Sequence, residues 1–274
     1  GHRAQLAATP ATYVRLAPNS VAGVFTDPPY FDNVQYAELM DFCYVWLRLA
    51  LREQFPAFAP HSTRQQAELT GNVTEGRSLA HFTTGLAEVF VHYARALKPG
   101  APFVFTYHHN DAEAYVPLVV AILDAGMTCT ATLPAAGEMS ASLHIAGTGS
   151  SVLDSVFVCR AASGAEGDPR AIDVAVAADV AAMRDAGVRV SEGDLRCLGA
   201  GHVARLAVGD LWVGWRPDRT LAERMAAARD RLHANALAAN IAELARRLLP
   251  AEGKARVGQA AALRGKRLQQ TRGR

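Results

Sequence analysis

The 274-residue sequence predicts an α/β fold: an open sheet with an antiparallel edge, followed by a mostly helical C-terminal region. Three observations carry that prediction. Short apolar runs alternate with amphipathic stretches, the pattern of strands joined by helices. The last two apolar runs follow one another with only a Gly-rich segment between them, as an antiparallel strand pair does. Beyond about residue 170 only helical periodicity remains.

The elements follow in order. Residues 21–26, Val-Ala-Gly-Val-Phe-Thr, come after the turn-like Pro18-Asn19-Ser20 and read as a buried strand. Residues 27–33 form a loop. Residues 36–52 have apolar positions at helical spacing, and the aromatics there (Tyr36, Phe42, Tyr44, Trp46) are expected in the core. Residues 56–76, polar and broken by Pro and Gly, read as a loop or insertion. Residues 79–97 form an amphipathic helix stopped by Lys98-Pro99-Gly100. A strand over 101–107, a helix over 112–124 ended by Ala125-Gly126, and a strand over 127–133 come next. After a turn at Gly147-Thr148-Gly149, residues 151–159 form another strand. A Gly/Ser/Pro linker over 161–170 leads to helices over 172–186, 192–208 and 220–249. Glu192 and Asp194 read as an ordinary helix start, since acids favour the first turn. Trp212 and Trp215 are expected to cover the core. The predicted organisation is a catalytic domain over 1–160, a helical extension over 161–210 and a helical, basic region over 211–274.

Composition bounds the function. Half of the residues are hydrophobic and 20% are charged, which is globular composition. No apolar run reaches the roughly 18 residues of a membrane span, so no membrane partner is expected. The chain opens on Gly1-His2-Arg3, which reads as an internal start. Four single cysteines, Cys43, Cys129, Cys159 and Cys197, form no C-x-x-C pair. They argue against a zinc ribbon, fit a reducing cytoplasm, and read as small buried hydrophobes. No metal site is expected. The net charge of +2 is unevenly spread: from Arg216 onward there are fourteen Lys/Arg against five Asp/Glu. Such a basic end is either a handle for nucleic acid or a solubilising tail.

The chemistry concentrates in Asp27-Pro28-Pro29-Tyr30, at the end of the first strand. Functional groups of open α/β sheets gather at the carboxyl ends of strands. Methylating an aromatic amine is hard because its lone pair is delocalised into the ring. The Asp27 carboxylate and the Pro28 carbonyl can accept hydrogen bonds from that amine and draw it towards tetrahedral geometry. Two prolines fix φ and pre-aim the carbonyl. Tyr30 offers a face on which a base swung out of a duplex can stack. The bland alternative is a plain turn.

The segment 19–48, Asn-Ser-Val-Ala-Gly-Val-Phe-Thr-Asp-Pro-Pro-Tyr-Phe-Asp-Asn-Val-Gln-Tyr-Ala-Glu-Leu-Met-Asp-Phe-Cys-Tyr-Val-Trp-Leu-Arg, strongly resembles the DUF1156 family of putative adenine-specific DNA methylases. Further similarity runs through 97–109, 151–160 and 191–196. The resemblance implies a class I (Rossmann-like) methyltransferase sheet, partial in this chain, with S-adenosyl-L-methionine as donor and DNA as partner. It implies adenine N6 as target, in phage defence or restriction-modification. Asp27, Pro28, Pro29 and Tyr30 match its catalytic motif. Phe31, Asp32, Asn33 and Tyr36 match its extension; Phe31, Asn33 and Tyr36 are expected on the substrate side. The family's glycine-rich cofactor loop and zinc ribbon have no counterpart here, and Gly147-Thr148-Gly149-Ser150 reads as a turn instead. An N-terminal half or a partner subunit is therefore expected to supply the cofactor loop. N4-cytosine, RNA or a protein amide are alternative targets, and a catalytically incomplete nucleic-acid-binding or assembly subunit is a non-enzymatic alternative. His108 and His109, ending the strand 101–107 at the rim shared with Asp27, are candidates for substrate contact. Glu138 and His144 lie in a loop near that rim.

Overall fold

The computed structural model describes residues 4–6, 9–31, 34–72, 75–109, 111–137, 151–161 and 171–249. Asp32, Asn33, Glu138, His144, the expected Gly147–Ser150 turn and the basic tail lie outside the described residues, as does most of the expected linker.

The fold is α/β. Four strands, β1 (Val24–Thr26), β2 (Phe103–Tyr107), β3 (Met127–Ala136) and β4 (Leu153–Ala161), form one mixed sheet in the order β1-β2-β4-β3. β1 and β2 are parallel, whereas β4 runs antiparallel to both of its neighbours. Seven described helices accompany it: α1 (Tyr36–Leu51), α2 (Leu79–Ala96), α3 (Val116–Asp124), α4 (Ile172–Asp185), α5 (Glu192–Trp212), α6 (Leu221–Ala239) and α7 (Ile241–Leu248).

Local chemistry explains most boundaries. Ser78 accepts from the His81 amide and caps α2. After α2 the chain turns at Gly100, whose φ of +73° a side chain would resist, and enters β2. Over residues 116–123 α3 is apolar on every side and buried, with Pro117 in its first turn, where its missing N–H costs nothing. Gly126, at φ +66°, turns α3 into β3. The expected helix over 220–249 is instead two helices. Asn240 adopts a left-handed conformation at φ +40°, ends α6, and caps α7 by accepting from the Glu243 amide.

The core is one continuous apolar cluster. It joins Phe82, Leu86 and Phe90 of α2, the inward residues of β2 and β4, Val116 and residues 118–123 of α3, and Leu195, Leu198, Val203 and Ala207 of α5. Fully burying each large apolar side chain stabilises by about 1.5–3 kcal/mol. Trp212 and Trp215 pack on its margin, and the Trp215 indole donates to Asp124. α5 approaches the sheet at Gly201, where an added Cβ would stand 2.5 Å from Ser155 Oγ.

Two expectations about burial fail. Cys43 is exposed, while Cys129, Cys159 and Cys197 are buried. Of the α1 aromatics only Tyr44 is buried, and it stacks on Phe58 rather than entering the central core. Phe42 and Trp46 face outward because α1 packs chiefly on the segment that follows it.

Candidate active site

Strand register assembles the site. Thr26 pairs with Phe105 in the parallel β1–β2 ladder, so the next residues, Asp27 and Thr106, stand side by side where β1 ends. Tyr107 pairs with Ser155 in the antiparallel β2–β4 ladder, so His108 falls beside Asp154. The rim therefore reads Asp27, Thr106 with His108, then Asp154, across three adjacent strands.

Asp27 is exposed and its Oδ1 is held from two sides. The Thr106 hydroxyl makes a short hydrogen bond to it, and the Tyr30 hydroxyl donates at 3.3 Å. Among the described residues no donor reaches Oδ2. Pro28 is buried and Pro29 half-buried, so the turn is rooted in the protein. The loop rests on Tyr107, which is fully buried. The Phe31 amide donates to the Tyr107 hydroxyl at 3.5 Å, and that hydroxyl donates to the Ala114 carbonyl at 3.0 Å. The Tyr30 and Tyr107 rings meet edge-on at 5.2 Å, and Phe31 packs edge-on against Phe82. Burial, reinforced by the Asp154 and Asp27 carboxylates, pushes the Tyr30 hydroxyl far above its ordinary range, so it remains a donor at any working pH. Tyr36 opens α1 on the same side; burial and then the Asp27 charge raise its hydroxyl too.

His108 and His109 differ in kind. The His108 ring lies roughly parallel to Tyr30, with centroids 6.4 Å apart. Its Nδ1 faces the Leu153 carbonyl at 3.0 Å, Asp154 Oδ1 at 3.5 Å and Cys197 Sγ at 3.7 Å. Burial disfavours its cation, but the acceptors led by Asp154 outweigh burial and push its pKa up to about 10. The ring is thus an imidazolium at neutral pH. His109 Nδ1 accepts from the Asp111 amide at 2.9 Å, and burial lowers its pKa, so it is neutral and structural in its contacts. Asp27, Pro28, Pro29, Tyr30, Phe31, Tyr36 and His108 are thus brought to one rim.

Four residues without a site role in the sequence expectations build this rim. Thr106 and Tyr107 hold the loop, and Asp154 holds His108. Asp194, wholly buried, accepts with Oδ1 from the Val152 and Leu153 amides and the Ser151 hydroxyl. Its Oδ2 accepts from the Ser191 amide and hydroxyl. The expected helix start at Glu192 and Asp194 is therefore a capping box whose acid also pins the entry of β4.

Among the described residues no strand pairs with the outer edge of β1, and Phe25 of that strand is 76% exposed. A small surface pocket lined by Asp210, Trp215, Arg219 and Arg224 contains none of the rim residues. Among the described residues no three His, Cys, Asp or Glu side chains gather as metal ligands, and no helix is long and apolar enough to cross a membrane. Among protein families, curated proteins and solved structures, no match to the chain was found.

Proposed function

We propose that this rim is the amine-holding half of a DNA amino-methyltransferase site, acting on adenine N6 in a class I, Rossmann-like sheet. The carrying observation is the Asp27 carboxylate: exposed at the end of a strand, fixed through Oδ1, and open at Oδ2. An exocyclic amine donating to Oδ2 and to the Pro28 carbonyl loses conjugation with its ring and becomes a better nucleophile. Fixing the acceptor beforehand removes the entropy of orienting it during reaction. Tyr30 supplies the stacking face for an extruded base, and the His108 imidazolium beside it favours a phosphate or another anionic group of the substrate.

S-adenosyl-L-methionine, when bound, supplies an electrophilic methyl group. The described residues do not form its cradle. Among them no glycine-rich turn opens a helix at the rim, and no described strand covers the flank of β1 where a switch-point crevice would form. No step is therefore assigned to cofactor-binding residues of this chain. That same gap favours a second reading, a nucleic-acid-binding or assembly subunit that needs a cofactor-bearing partner segment.

Transfer of labelled methyl from S-adenosyl-L-methionine to adenine-containing DNA tests the first reading. Asp27→Ala should lower it by about 10²-fold or more; an undiminished rate removes Asp27 from the chemistry. No transfer by the chain, together with no saturable donor binding in calorimetry, selects the second reading.

A further inference from the structure

Helix α1 is apolar on two opposite faces. One face, marked by Ala37 and Tyr44, is buried against the segment that follows the helix. The other carries Leu39, Phe42, Trp46 and Leu49, which are 60, 77, 67 and 64% exposed, with Met40, Val45 and Leu47 exposed to its sides at 54, 50 and 50%. At about 100° per residue these four fall on one stripe, turned away from Ala37 and Tyr44. Their 3-4-3 spacing is that of a helix–helix seam. A contiguous stripe of this kind, unlike scattered surface hydrophobics, marks an interaction surface.

We propose that the stripe is a homodimer interface in which α1 packs antiparallel on α1 of a second copy. The spacing is palindromic about position 44. Reversing the helix sets Leu39 against Leu49 and Phe42 against Trp46, so the stripe is complementary to itself, as a two-fold interface requires. Charge agrees with the reversal. Glu38 and Arg52 lie at opposite ends of the helix, on the same flank of the stripe. The antiparallel pair brings Glu38 of each copy to Arg52 of the other, whereas in a parallel pair that flank faces the partner's opposite flank and the two do not meet. Among the described residues, the ion-pair partner of Glu38 is Arg64, at 3.8 Å across exposed surface. The four seam residues offer roughly 500 Å², and the flanks bring the patch towards the ~800 Å² per partner of a standard interface. The inference holds whatever chemistry the Asp27 loop performs.

Sedimentation velocity on the full chain, from about 1 to about 100 µM, is expected to show a dimer. Trp46→Glu should make it monomeric with its circular dichroism unchanged, since Trp46 touches no core, and its melting temperature should no longer rise with protein concentration as that of the dimer does. Glu38→Arg and Arg52→Glu should each weaken the dimer about 10-fold, and the double reversal should restore it. A monomer throughout, or a dimer indifferent to Trp46→Glu, overturns the proposal. A dimer that both single reversals leave at full strength overturns the antiparallel register.

Discussion

Thr106 donates its hydroxyl to Asp27 from the neighbouring strand, although 79 residues separate the two in sequence. The parallel register of β1 and β2 creates this contact. It occupies one carboxylate oxygen and fixes the plane of the other. Thr106→Val keeps the shape and removes the shorter of the two hydrogen bonds, leaving Asp27 held by the Tyr30 hydroxyl alone. On the proposed function, methyl transfer should fall about 10-fold, chiefly in kcat, while Thr106→Ser retains most of it. Equal rates in the wild type and the Val variant would show that Asp27 needs no such support.

His108 and Asp154 give the rim a pH dependence. The fold favours the imidazolium, so its folded pKa of about 10 lies above the 6.5 of the free side chain. The pair therefore contributes stability in full below about pH 6.5. That contribution is lost as pH rises towards about 10. Asp154→Asn removes the main opposing charge. Its melting temperature should lie below that of the wild type at neutral pH, and the two should converge by the alkaline end of the window. A proton NMR titration should show the His108 pKa fall in the variant; an unmoved pKa would contradict the pairing.

How far this was legible in sequence depends on the range of each interaction. The end of β1, the stop after α2 and the capping box at Ser191 are set by neighbours a few residues apart, and local signals locate them. The insertion of β4 between β2 and β3 depends on pairing across the sheet, which local periodicity does not encode. Periodicity also failed on α1: both faces are apolar, and it cannot say which one meets protein. The break at Asn240 lacks the usual Gly or Pro, although an asparagine in an Ala-rich run was a usable hint. Asp154 left a signal of its own, as a lone acid at the start of an apolar strand.

Gly201 makes a prediction about packing alone. Its Cα side faces Ser155 and Thr132, and an added Cβ would stand 2.9 Å from Ser155 Cβ and 3.2 Å from Thr132 Cγ2. Helix propensity alone would favour alanine by about 0.5–1 kcal/mol. The clash is with short side chains on strands, which cannot swing away, so overpacking wins. Gly201→Ala should destabilise by about 1–3 kcal/mol in urea unfolding. The double variant Gly201→Ala with Ser155→Gly should recover much of that loss. A single variant as stable as the wild type would mean that α5 does not approach β4 this closely.

Asp194 couples the helical half of the chain to the rim. Its two oxygens accept from three backbone amides and two serine hydroxyls; the Ser151 hydroxyl and the Leu153 amide are buried and have no water as an easy substitute, whereas Ser191 is exposed. Asp194→Ala strands those two buried donors, and at about 1–3 kcal/mol for each the loss should reach about 2–5 kcal/mol after relaxation. Asp194→Asn keeps the size but swaps an acceptor for a donor, so it should recover only part of the loss. The local consequence is sharper than the global one. Val152 and Leu153 lead directly into Asp154, and the Leu153 carbonyl itself contacts His108. Loosening this entry should therefore lower the His108 pKa even in the folded protein, and amide exchange should quicken at Leu153 before it does at Val158 in the middle of β4. Uniform quickening along β4 would instead indicate global destabilisation, and would separate Asp194 from any role in holding the rim.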